Sequence, residues 1–177
     1  MLLGAKKLAF LGLLLALSVL SVILSGILEF NTLFLLAAGS FCIGIAIRES
    51  GIRFGFGFFV AAVLLSIMLA PNKMYCITFA AMGFYLIIAE YAYDMMVHIK
   101  KTGKRRIVLW VIKYVTFNAM YIPILLLLPR LVYSGSINNG LLAVVILAGQ
   151  IVLFVYDRAY DYFQKNIWGK ARVRLKL

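Results

Sequence analysis

Few side chains in this sequence are equipped for chemistry, and most of those interrupt apolar runs. Glu90, Lys113, Asn118 and Gln150 stand inside such runs, while Asp94 and Asp157 stand near their basic edges. An ionisable or amide group in an apolar helix is costly, so it faces a partner or a cavity. Glu90 lies ten residues before Lys100, and Lys113 seven after Arg106. At ~1.5 Å per helical residue, both reach a similar depth on adjacent antiparallel helices. The spacing predicts an intramembrane Glu90–Lys113 ion pair, with Asp94 as the alternative partner. Its first role is structural, because removing one member strands a buried charge.

Asn118 and Gln150 fall nearer the middle of their runs. Two uses suit them: hydrogen-bonding each other across helices, or flooring an outward-facing ligand pocket. The walls of that pocket would come from Asn31, Asn72, Tyr75, Tyr121, Arg130, Tyr133 and Asn138. Ligand sites are mostly apolar with a few convergent polar groups, and this set matches that description.

Catalytic patterns are thin. Glu90 and Asp94 are four apart and share a helical face, with the single histidine, His98, one turn further on. That trio defines one reading, a lipid-directed enzyme at the inner face, but acid/base work needs a more complete arrangement. Ser18, Ser21 and Ser25 have no base within reach. Gly55 and Gly57 lack the third glycine and the lysine of a phosphate loop. Cys42 and Cys76 lack metal-site spacing and read as small core residues. The expectation is a protein that is not an enzyme, with no metal and no cofactor.

The elements that position these residues follow from composition. Of 177 residues, 65% are apolar and 14% charged, more apolar surface than a soluble domain of this size can hide. Lipid is the solvent this implies. Six runs are candidates to cross it, at 8–28, 33–47, 54–70, 74–97, 107–128 and 139–156, where a span takes ~17–25 residues and the second run is short. The first follows Lys6 and Lys7 but has no Ala-x-Ala site after it, so it reads as a retained span instead of a cleaved signal.

Charge sets the orientation. Placing the N-terminus inside puts fifteen of the eighteen Lys and Arg residues on the cytoplasmic side, leaving Lys73 and Arg130 outside and Lys113 within a span. Basic residues favour the cytoplasmic side, which predicts a single all-α domain with both termini cytoplasmic. The same bias accounts for the net charge of +12 without a nucleic-acid partner, for which no binding module is present. The segment 157–177 is a basic cytoplasmic tail, in which Gln164 to Leu177 alternates basic and apolar residues and is expected to lie on the anionic inner surface.

Gly12 and Ala16 share a face of the first run, a small-xxx-small spacing that lets helices approach closely. The surrounding stretch, Lys-Leu-Ala-Phe-Leu-Gly-Leu-Leu-Leu-Ala-Leu-Ser-Val-Leu at 7–20, resembles the opening helix of substrate-binding (S) components of energy-coupling-factor (ECF) transporters. In that family the small-xxx-small pattern docks onto a transmembrane coupling subunit. The resemblance implies a bacterial plasma-membrane protein with an S-component-like six-helix bundle. It further implies an outer pocket for a vitamin-like micronutrient, with ATP hydrolysed by separate subunits. The first outer loop, Glu29-Phe-Asn-Thr32, is shorter than the lid that family often carries. Leu69-Ala-Pro-Asn-Lys73, Phe84-Tyr-Leu-Ile-Ile88 and Trp110-Val-Ile-Lys113 also look like uncharacterised bacterial membrane proteins of the same plan. The alternative to a solute-binding subunit is a scaffold or accessory subunit of a cell-envelope complex, whose helices bind only other helices.

Overall fold

An apolar chain in lipid must satisfy its backbone internally, which favours helices. The computed structural model describes residues 4–96, 102–127 and 139–175, and it is helical almost throughout, with no strand among the described residues. Helix α1 spans Ala5–Ile27 and a short 3-10 turn, Glu29–Asn31, leads into α2, Thr32–Ser50. Helices α3 (Ile52–Leu69), α4 (Lys73–Met96), α5 (Thr102–Leu127) and α6 (Asn139–Tyr162) follow. A π-helical turn, Phe163–Trp168, joins α6 to a short α7, Gly169–Leu175. Helices α1 to α4, and Lys104–Leu125 within α5, are long and apolar enough to cross a membrane.

Local sequence fixes the reversals. Gly51 alone separates α2 from α3, and its φ of 86° is a left-handed conformation that side chains resist. Its N–H still caps α2 by donating to the Ile47 carbonyl at 2.8 Å. Helix α3 stops before Pro71, which lacks the N–H needed to continue. Asn72 then accepts a hydrogen bond from the Met74 N–H at 3.0 Å, a side-chain cap for α4.

Helix α2 is the centre of the bundle, packed against α1, α3 and α4. The α1–α2 seam is made of small residues: Ser18, Ser21 and Ser25 are buried, and Ser18 Oγ donates to the Gly39 carbonyl at 2.9 Å. Leu36, Ile43, Phe79, Cys42 and Cys76 fill the core nearby. Both cysteines are free thiols. Helix α6 joins through aromatic side chains, Tyr156 and Tyr160 packing with Phe41, Tyr85 and Leu86.

Large apolar side chains cover the outside: Leu13 and Leu17 on α1, Leu64 and Met68 on α3, Leu147 and Ile151 on α6. Apolar exposure on this scale is how a bundle meets lipid, and the chain is a multi-pass membrane protein. One end of the bundle gathers Lys7, Arg48, Arg53, Arg105 and Arg106, and is called the basic end below.

Helix α6 continues past Tyr156, where the apolar run stops, to Tyr162. The chain after it folds back onto the bundle. Trp168 stacks on Phe10 at 5.4 Å, and its indole N–H donates to Glu49 at 3.1 Å. Arg172 pairs with the same carboxylate at 3.1 Å, and Lys7 donates to the Glu49 carbonyl at 3.2 Å.

Candidate functional site at the basic end

Beside Glu49, two further buried carboxylates, Glu90 and Asp157, organise the basic end. Glu90 of α4 receives three donors on Oε1: Arg48 Nε at 2.9 Å, Arg48 Nη2 at 2.6 Å and the Tyr160 hydroxyl at 2.6 Å. Asp157 of α6 receives Lys113 Nζ at 2.5 Å and the Tyr85 hydroxyl at 3.1 Å. The expected Glu90–Lys113 pair is therefore replaced by two pairs, Arg48–Glu90 and Lys113–Asp157. Glu90 and Lys113 nonetheless line one cleft. Partner choice changed because two helices are longer than their apolar runs. Arg48 is a helical residue of α2, not part of a loop, and Asp157 lies within α6, not in a tail.

The tyrosines reach these carboxylates because their neighbours are small. A Cβ on Gly44 would overlap the Tyr160 ring, so the glycine is what allows α6 to bring that phenol to Glu90. Ser40, one turn earlier in α2, shares a 2.7 Å hydrogen bond with the Tyr156 hydroxyl. Gln164, in the π-helical turn, donates to the Tyr160 hydroxyl at 3.1 Å. Tyr156, Asp157, Tyr160 and Gln164 thus form one inward face across the end of α6.

Around this network lies a cleft of about 360 Å³ between α2, α4, α5 and α6. Six cations line it, Arg48, Arg105, Arg106, Lys113, Arg158 and Lys165, against three carboxylates, Glu90, Asp157 and Asp161. The walls are Ala89, Tyr93, Leu109, Trp110 and Tyr160. Arg105 lies over Tyr93 at 5.8 Å, and Arg158 over Trp110 at 5.8 Å and Phe154 at 5.3 Å. Among the described residues, Arg105, Arg106, Arg158 and Lys165 make no ion pair. Such a lining attracts anions. Asp94 is exposed and does not line the cleft. Of the trio Glu90, Asp94 and His98, Glu90 lines the cleft, and His98 lies outside the described residues.

The polar residues assigned to an outward pocket are occupied separately. Gln150 Nε2 donates to Asn118 Oδ1 at 2.8 Å, and Asn118 Nδ2 donates to the Tyr114 carbonyl at 2.9 Å, with a longer 3.4 Å contact back to Gln150 Oε1. Of their two expected uses, the geometry matches the interhelical bond. Tyr121 donates to the Val145 carbonyl at 2.9 Å, Asn72 caps α4, and Asn31 is exposed in the turn before α2. Tyr75 packs against the core. Arg130, Tyr133 and Asn138 lie outside the described residues. Gly12 and Ala16 are exposed on α1, with open space where a Gly12 Cβ would point. No group of three or more His, Cys, Asp or Glu capable of holding a metal occurs among the described residues.

Sequence reasoning missed Arg48, Tyr85, Tyr160, Trp110 and Arg158 as members of one site. A usable signal existed in Tyr156, Asp157, Tyr160 and Gln164, whose spacing of three and four puts them on one helical face. No family model matches this chain, and neither does any curated protein or solved structure.

Proposed function

We propose that this chain is a non-enzymatic, membrane-embedded binding component that takes an anionic ligand in the cleft at its basic end. The positive-inside tendency assigns that end to the cytoplasm. One observation carries the reading: side chains from four helices and the π-helical turn converge on a single cleft with twice as many cations as carboxylates. Asn118, Gln150, Tyr121 and Asn72, by contrast, bond to each other or to backbone. Both buried carboxylates of the cleft are committed to ion pairs, which suits a binding site better than acid/base chemistry.

The experiment is a thermal unfolding series on the detergent-purified protein. A ligand present at a hundred times its Kd stabilises the folded state by about 2.7 kcal/mol. Anionic small molecules should raise the midpoint, and matched cationic or neutral ones should not. Equal responses to both signs would sink the proposal.

A second reading has its own observation. Exposed Gly12 and Ala16 leave a shallow surface on α1, as docking onto a coupling subunit or an envelope complex would require. The chain is then one subunit of an ATP-driven micronutrient uptake transporter, or a scaffold. Gly12→Ile should abolish copurification of another membrane protein while leaving the thermal midpoint unchanged. Undiminished copurification from the variant would remove this reading.

A further inference from the structure

Resting on the cleft being a binding site, we propose that its ligand is a phosphomonoester or diphosphate group carried on an apolar or aromatic body. Charge selects the group. Arg48 and Lys113 are spent on Glu90 and Asp157, which leaves Arg105, Arg106, Arg158 and Lys165 facing only Asp161. That is a formal surplus of three positive charges. A carboxylate ligand brings one negative charge, and a phosphodiester also brings one. A phosphomonoester brings ~1.5–2 at neutral pH, and a diphosphate more.

The donors match as well. Three of the four surplus cations are arginines, whose planar forks fit phosphate oxygens in pairs, whereas lysine acts as a point charge. Two guanidinium groups are already placed by aromatic rings, Arg105 over Tyr93 and Arg158 over Trp110 and Phe154. Ring contacts of this kind orient a guanidinium while leaving its N–H donors for a ligand.

Position then divides the ligand into head and body. Glu90 and Asp157 exclude a second anion from the depth of the cleft, so the phosphate sits with Arg105, Arg106, Arg158 and Lys165. The body lies along Ala89, Leu109 and Trp110. A lipid whose headgroup ends in phosphate and a soluble phosphorylated molecule share this chemistry, and the experiment separates them.

The full-length protein, stripped of lipid in neutral detergent, is titrated with four probes: phosphatidic acid, inorganic pyrophosphate, phosphatidylcholine and oleate. Binding is read from the shift in thermal midpoint, for the native chain and for Arg106→Gln/Arg158→Gln. Both substituted residues are exposed, and the unliganded midpoint of the variant reports its folding. If the double variant fails to fold, Arg106→Gln alone replaces it. The expected result is stabilisation by phosphatidic acid, by pyrophosphate or by both, with none from phosphatidylcholine. The variant should lose about tenfold or more in affinity, as for one charge-assisted contact. Phosphatidic acid alone marks a lipid ligand, pyrophosphate alone a soluble one, and a response to both marks a site that takes the phosphate group from either source. Oleate binding as tightly as the phosphates, with the same arginine dependence, overturns the phosphate inference but leaves the anion site standing. No response to any anion, or a response that the variant keeps in full, overturns the site itself.

Discussion

Glu90 and Asp157 are both buried and both paired, yet their partners differ in exposure. The Arg48 side chain is 34% exposed, whereas Lys113 is 16% exposed and Asp157 2%. Neutralising Asp157 strands an ammonium that water reaches poorly, and breaking a buried pair costs about 3–5 kcal/mol. Asp157→Asn should therefore destabilise the protein by roughly that amount. Glu90→Gln should cost less, about 1–3 kcal/mol, because Arg48 can turn to solvent. Denaturation of both variants in detergent measures the difference, and a larger loss for Glu90→Gln would contradict it. Gly44 gives a second prediction. Gly44→Ala forces the Tyr160 ring away, an overpacking that costs about 1–3 kcal/mol, and Tyr160→Ala in the same chain should recover part of the loss. No recovery would mean that the glycine serves some other contact. The residue scale was half legible in the sequence. Glu90, Lys113, Asn118 and Gln150 stood out because polar groups are rare in these runs. Their partners did not, because Tyr85 and Tyr156 look like ordinary apolar-run residues, and Tyr160 like part of a basic tail, until a neighbouring helix supplies a carboxylate or a serine.

At the scale of elements, hydropathy marked where the apolar runs end and missed where the helices end. Helix α6 continues beyond Tyr156 because Asp157 and Tyr160 turn inward, so polar composition there signals a site and not a loop. Arg48 was hidden for the same reason at the end of α2. The tail, expected at the inner membrane surface, is also held to the bundle by one carboxylate, Glu49, through Trp168 and Arg172. Removing that attachment should loosen it. Trp168→Ala should increase trypsin cleavage at Lys165 or Lys170 in detergent while the helical bundle keeps its cooperative unfolding. Cleavage unchanged from the native chain would show that other contacts hold the segment. Neither Glu49 nor Trp168 was identifiable from sequence, since the two are separated by more than a hundred residues and neither belongs to a motif.

The whole molecule is the most legible level. Apolar runs separated by basic loops led directly to a helical multi-pass bundle, and five helices are long and apolar enough to cross a membrane. Orientation is a separate prediction of charge. Both native cysteines are buried in the core, so a single exposed thiol at Lys104→Cys should react only with reagents that reach the cytoplasm. Labelling from outside the cell would reverse the topology. What the sequence hid at this scale is that charged side chains from four helices and the π-helical turn collect in one cleft at the basic end. The most direct test of that placement is native mass spectrometry of protein extracted from its own membrane, comparing the native chain with Arg106→Gln/Arg158→Gln and with Asn118→Leu. An anionic adduct should be present on the native chain and on Asn118→Leu, and absent from the arginine variant. An adduct that survives in the arginine variant but vanishes from Asn118→Leu would move the ligand to the outer end and contradict the account.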